Sequence, residues 1–179
     1  MQFTIQNKDT AAAELKPVFD QVQKAYGFIP NLYGIFANSP LALHTYLGVL
    51  DLIDKHSALT PQEQQLTMLA ISAENGCDYC VAAHSAVAAM VHAPTEDIQA
   101  IRNNTLPPTP KHAALVRFAR ATIAARGFTP AEDVEAFLAA GYTQQHVLDV
   151  LTIAALKTLS NYTNHLALTP VDAAFGGQR

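Results

Sequence analysis

Thr60-Pro61-Gln62-Glu63 and, further on, Glu74-Asn75-Gly76-Cys77-Asp78-Tyr79-Cys80-Val81-Ala82-Ala83-His84-Ser85 mark out two helices and the turn between them. The first run is a capping box. Thr60 offers its hydroxyl to the N–H three residues on, Pro61 fixes φ where no N–H is needed, and Glu63 reaches back to the start. A helix therefore runs over residues 61–74. Asn75-Gly76 stops it, because these residues tolerate the backbone conformations that end helices, and a second helix runs over 77–92. Thr129-Pro130-Ala131-Glu132 repeats the first signature and starts another helix at Pro130.

Outward from this pair, Gly27 with Pro30, Ser39-Pro40, Pro94, Pro107-Pro108 and Gly141 interrupt the helical pattern. The intervals read as helices over 11–26, 40–55, 95–103, 110–126, 130–140 and 143–163. Alternating strand patterns are scarce and alanine is abundant, so the fold class is all-α. In the last helix Val147, Leu148, Leu151, Ala155 and Leu159 form an apolar stripe suited to the core of a helical bundle. The 179 residues suit a single domain over 1–179, whose core motif region is 59–92. The stretch Pro107-Pro108-Thr109-Pro110 is too short to divide it.

Composition narrows the function classes. Hydrophobic residues make up 50% and charged residues 15%, a low charge for a lone monomer, so part of the apolar surface is expected in a homo-oligomer interface. The net charge of -4 and the lack of a basic run argue against nucleic acid as a partner. No apolar run reaches the ~18 residues of a membrane span, and the first residues lack the pattern of a signal peptide, so the expected location is cytoplasmic. The 2 cysteines, Cys77 and Cys80, exclude a disulfide scaffold and leave redox chemistry, metal ligation or packing.

Both thiols fall in the first turn of a helix, where free N–H groups and the dipole favour a thiolate. Residues three apart on a helix have Cα atoms roughly 5 Å apart, inside the window of about 4.4–6.8 Å that a disulfide needs. His84 follows Cys80 by four residues, so the three side chains share an arc of about 60° and the imidazole is placed to take up a thiol proton. Glu74, just before the turn, is placed to polarise Cys77 or to accept a proton through water. A carboxylate, a dithiol and an imidazole together make a relay that activates a thiolate against a peroxide oxygen. Two plainer readings stand beside it. The cysteines serve as apolar filler, or Cys77, Cys80 and His84 bind a metal with Glu74 or water as fourth ligand, although no second cysteine pair completes a structural zinc site. No metal and no cofactor are expected. Tyr79 reads as a packing aromatic or as a hydroxyl donor.

Residues 74–85, with the preceding helix from Leu59-Thr60-Pro61 to Ser72 and the later Asn161-Tyr162-Thr163-Asn164-His165, resemble the alkylhydroperoxidase D and carboxymuconolactone decarboxylase superfamily, most strongly over 59–92. The resemblance implies an all-helical homo-oligomer and a thiol peroxidase. In it Cys80 attacks the peroxide, Cys77 resolves the sulfenic acid into a disulfide, and an external dithiol reduces that disulfide. Two positions depart from the alkylhydroperoxidase D pattern. Gln65 occupies the place of the relay glutamate, twelve residues before Cys77, and Tyr79 replaces a histidine between the cysteines. The expectation is that Glu74 takes over the glutamate's task and Tyr79 supplies a hydroxyl. His165, beside Asn164, is a further candidate that the last helix delivers to the site; His44, His56, His92, His112 and His146 read as surface or packing residues. The decarboxylase branch does not depend on the cysteine pair, so a non-redox enzyme acting on a lactone or small acid is the alternative, with a non-catalytic helical metal-binding or oligomeric module as the other.

Overall fold

The computed structural model describes residues 3–176. Nine α-helices and no strands are found among the described residues: α1 (Lys16–Tyr26), α2 (Asn31–Phe36), α3 (Pro40–His56), α4 (Pro61–Glu74), α5 (Asp78–Met90), α6 (Thr95–Arg102), α7 (Pro110–Ala124), α8 (Ala131–Ala139) and α9 (Gln144–Ala167). The all-α reading holds. None of these helices is long and apolar enough to cross a membrane.

Helix α4 is the axis of the arrangement. It packs against α5, α6, α7 and α9, and its residues from Glu63 to Ser72 are buried except for Gln65, which is half-buried. Its apolar side chains enter two clusters. Met68 and Ile71 join one with Leu15, Phe19, Leu43, Leu115, Phe118 and Ile153; Leu66, Leu69 and Ala70 join another with Ala88, Ile98, Ile101 and Val116. Removing such a fully buried leucine side chain costs about 2–5 kcal/mol, from lost burial and the cavity left behind.

The capping box at Thr60 forms as read: Thr60 Oγ1 accepts the Glu63 N–H at 3.2 Å, and Glu63 Oε2 accepts the Thr60 N–H at 2.9 Å. Glu63 goes further. Its Oε1 accepts from Lys111 Nζ at 2.8 Å and from the Tyr142 hydroxyl at 3.0 Å, tying α4 to α7 and to the entry of α9. Burial alone would raise this carboxyl, but Lys111, the Thr60 N–H and hydroxyl, and Tyr142 together hold it at about 2.

Four elements differ from the sequence reading, the first being α1, which begins at Lys16 and not at 11, behind a 3-10 turn over Ala13–Leu15. Thr129 makes no capping box. Its hydroxyl lies 3.0 Å from that of Thr122, so Pro130 stays extended as N-cap and α8 begins at Ala131. Helix α2 was not legible behind Pro30, and α9 continues four residues past 163. Most of the apolar stripe of α9 also faces outward, with only Val147 and Leu159 half-buried against the core. Leu148 is 64% and Leu151 40% exposed, while the buried face consists of Val150, Ile153, Ala154, Leu156, Lys157, Ser160, Asn161 and Asn164. Half of the inward residues are polar, and they meet the cysteine turn.

Candidate active site

The turn between α4 and α5 sets the position of both sulfurs. Gly76 follows the end of α4 at φ 65°. Its N–H bonds the Ala73 carbonyl at 3.0 Å, and the Cys77 N–H bonds the Ser72 carbonyl at 2.9 Å. This double closure is a Schellman motif, whose left-handed position a side chain would strain. Cys77 becomes the N-cap of α5, and Cys80 its third residue. Both are buried free thiols. The same turn leaves Glu74 on the exposed side, facing the charge of Arg120. Its expected place in the relay is thereby corrected, because the helix stop rotates it off the face that carries the sulfurs.

His84 sits one turn below Cys80 and is held from both sides. Its Nδ1 lies 3.0 Å from Gln65 Oε1 and its Nε2 lies 2.7 Å from Lys157 Nζ. An ammonium has only donors, so Nε2 accepts from Lys157 while Nδ1–H donates to Gln65. Burial and then the Lys157 cation push the imidazole well below its ordinary range, so it is neutral at pH 7. The expected direct transfer of a thiol proton to His84 meets an obstacle here: Lys157 already occupies the basic nitrogen.

The two thiols are electrostatically unequal. The hydrogen bond donated by the Cys77 thiol, followed by the Lys157 charge and the Asn161 amide, holds Cys80 well below the ordinary thiol range against the effect of burial. Donating to Cys80, together with burial, pushes Cys77 up. Asn164 Nδ2 donates to Cys80 Sγ at 3.2 Å and also reaches Cys77 Sγ at 3.7 Å. Ser160 Oγ lies 4.0 Å from Cys80 Sγ. Asn161 Nδ2 donates to Ser72 Oγ at 3.4 Å and its Oδ1 accepts from Asn75 Nδ2 at 2.9 Å, fastening α9 to the turn. The arrangement is a thiolate beside a thiol, the pair needed for attack on an electrophile followed by disulfide closure.

Cys80 and His84 face a cavity of about 850 Å3, whose walls include Gln65, Tyr33, Tyr46, Tyr79 and Phe175. Cys77 lies behind Cys80, outside that lining. Tyr79 does not turn its hydroxyl to the sulfurs. It donates to Asp172 Oδ2 at 2.6 Å and accepts the Leu32 N–H at 3.3 Å, while Asp172 also takes the Asn31 N–H. This latch ties α2 and the C-terminal segment to the first turn of α5, a structural task instead of the expected catalytic one. His165 is exposed and stacks on Tyr162; the residue that α9 delivers to the thiols is Asn164. Among the described residues no group of three or more His, Cys, Asp or Glu is placed to hold a metal.

Lys157 and Asn164 were missed by the sequence reading, and Gln65 was noticed only as a departure. The signal was there. Lys157, Ser160, Asn161 and Asn164 stand at i, i+3, i+4 and i+7, the spacing of a buried stripe, but polar side chains are assigned outward by default.

A helical fold whose cysteine pair opens one helix defines a class of protein, and similarity to known proteins points the same way. The carboxymuconolactone decarboxylase family matches residues 40–121, a little under half of the chain. Similar solved structures show the same fold. A peroxidase-related protein from Ralstonia eutropha JMP134 with an alkylhydroperoxidase AhpD core is 24% identical, with a TM-score of 0.86 over 97% of this chain and 93% of its own. A peroxidase-related protein from Silicibacter sp. TM1040 is 18% identical, with a TM-score of 0.85 over 99% and 94%. A variant of the debrominase Bmp8, in complex with 2,3,4-tribromopyrrole, is 20% identical, with a TM-score of 0.81 over 98% and 93%. No curated protein matches the sequence.

Proposed function

We propose that this chain is a thiol-dependent peroxidase that reduces hydrogen peroxide or organic hydroperoxides through a Cys77–Cys80 disulfide. The observation that carries the reading is the inequality of the two sulfurs. Cys80, facing the cavity, is the one held toward the thiolate, and Cys77 behind it keeps its proton. The thiolate is the nucleophile in such chemistry, and the neighbouring thiol is the resolving group. One peroxide takes two electrons from the pair and leaves an alcohol or water, a water and a disulfide, which an external dithiol reopens. The test is peroxide consumption by pre-reduced protein with thiols counted before and after one equivalent. Two thiols disappear per peroxide in the wild type, and Cys80→Ser consumes none. Turnover that survives Cys80→Ser refutes the reading, and activity on a lactone or small acid in a protein lacking both cysteines would establish the non-redox alternative.

A second reading is favoured by the size of the cavity, far beyond what hydrogen peroxide needs, together with the bromopyrrole carried by one structural neighbour. In it the same two electrons would replace a halogen on an aromatic ring by hydrogen. Bromide release from a bromopyrrole by the reduced protein, with loss of two thiols, distinguishes it from peroxide reduction.

A further inference from the structure

Gln65 cannot end a proton relay. A primary amide does not exchange its charge state near neutral pH, so the bond from His84 Nδ1–H to Gln65 Oε1 orients the ring and goes no further. The other ring nitrogen is different. The Lys157 ammonium lies 2.7 Å from it, is wholly buried, and takes part in none of the ion pairs among the described residues. A buried cation is costly unless an anion faces it. Here the Lys157 charge is one of the causes that draw the buried Cys80 sulfur toward its anion.

This charge pair exists only while Cys80 is reduced. Once the sulfur is bonded to oxygen or to Cys77, its negative charge is gone, and the ammonium would be left alone in the interior. Giving up a proton at that moment removes the uncompensated charge.

We propose that Lys157 is the proton source of the site and that His84 passes its proton to the departing oxygen. The inference rests on the peroxidase reading and extends it. The Cys80 thiolate attacks the outer oxygen of R–O–OH; an S–O bond forms, the O–O bond breaks, and its electron pair leaves with RO⁻. His84, which shares the cavity wall with Cys80 and Gln65, exchanges the Gln65 Oε1 acceptor of its Nδ1–H for RO⁻, gives that proton to it, and takes one at Nε2 from Lys157. Lys157 becomes a neutral amine. Cys77 then attacks the sulfenic sulfur; the S–S bond forms, and hydroxide leaves with the Cys77 proton as water. The reducing dithiol returns two electrons and two protons, one proton to Cys77 and one to Lys157. Lys157 acts through His84, so it is a positioning and proton-storing residue.

The test separates charge from proton. Wild type, Lys157→Met and Lys157→Arg are compared at pH 7 in three reactions: alkylation by iodoacetamide, which needs only the thiolate, and oxidation by tert-butyl hydroperoxide and by peracetic acid. The acetate leaving group of the peracid needs no proton. Lys157→Met is expected to alkylate about tenfold more slowly, and to lose a further factor of about 100 with tert-butyl hydroperoxide but not with peracetic acid. Arginine keeps its charge and does not give up a proton, so Lys157→Arg is expected to alkylate within about threefold of wild type yet lose about 100-fold with tert-butyl hydroperoxide. Should both variants lose no more with tert-butyl hydroperoxide than in alkylation, Lys157 is a counter-ion alone and the inference fails. Should neither variant fold, wild type decides. Peracetic acid outpacing tert-butyl hydroperoxide by less than about a hundredfold supports a proton source, and by more than that overturns it. Wild type that alkylates readily but consumes neither oxidant overturns the peroxidase reading, and the relay with it.

Discussion

Asn164 touches both sulfurs without carrying a charge, so its contribution is to solvate the thiolate in place of water. Asn164→Leu removes that donor, and the expected result is a Cys80 thiol titrating higher, with iodoacetamide reactivity at pH 7 down by about tenfold, the scale of one hydrogen bond to a charged group. Tyr79 and Glu74 supply the contrast. Tyr79→Phe leaves the Asp172 carboxylate short of a buried donor and should cost about 1–3 kcal/mol in urea unfolding, yet both it and Glu74→Gln should alkylate within about twofold of wild type. The cysteine pair and His84 were legible because three residue types of known chemistry fall on one helical face. Lys157 and Asn164 were not, since their partners lie 73 and 84 positions away, and no local spacing encodes such a meeting. Glu74 misled for a local reason: nearness in sequence to Cys77 is undone by the left-handed Gly76 between them.

Helices announce their starts better than their ends. Thr60 acts as the N-cap the sequence suggests, and Ser39 caps α3 in the same way, because a hydroxyl and a following proline act within one turn. The end of α9 is less regular. Leu168 closes it in the left-handed region at φ 52°, 84% exposed, where a side chain is strained and glycine is the usual choice. Leu168→Gly is therefore expected to raise stability by about 0.5–1 kcal/mol, read as a higher urea midpoint with an unchanged slope. The orientation of α9 carries the wider lesson for reading its fold. Leu148, Leu151 and Ala155 of its apolar stripe point outward and a mixed stripe points inward, because the inward face must supply the groups that surround a buried thiolate. Hydrophobic periodicity identified a helix here but placed only Val147 and Leu159 of its stripe against the core.

For the molecule as a whole, acid is the clearest lever. Glu63 joins α4, α7 and the start of α9 while its carboxyl is held at about 2, against 4.5 for a free one. A group depressed in the folded state stabilises it fully above the unfolded value, and that stabilisation is lost as pH falls from about 4.5 through about 2. The contribution is about 3 kcal/mol. Urea midpoints should thus fall steeply between pH 5 and pH 2, and Glu63→Gln should start lower at pH 7 and show a flatter acid limb; equal slopes in the two proteins would remove Glu63 from the account. The seclusion of Cys77 behind Cys80 has a kinetic corollary on the proposed chemistry. After oxidation, the sulfur that an incoming reductant meets is again that of Cys80, through the same doorway the oxidant used. Both substrates then compete for one entrance in alternation, giving parallel double-reciprocal lines, and an excess of either slows the half-reaction of the other.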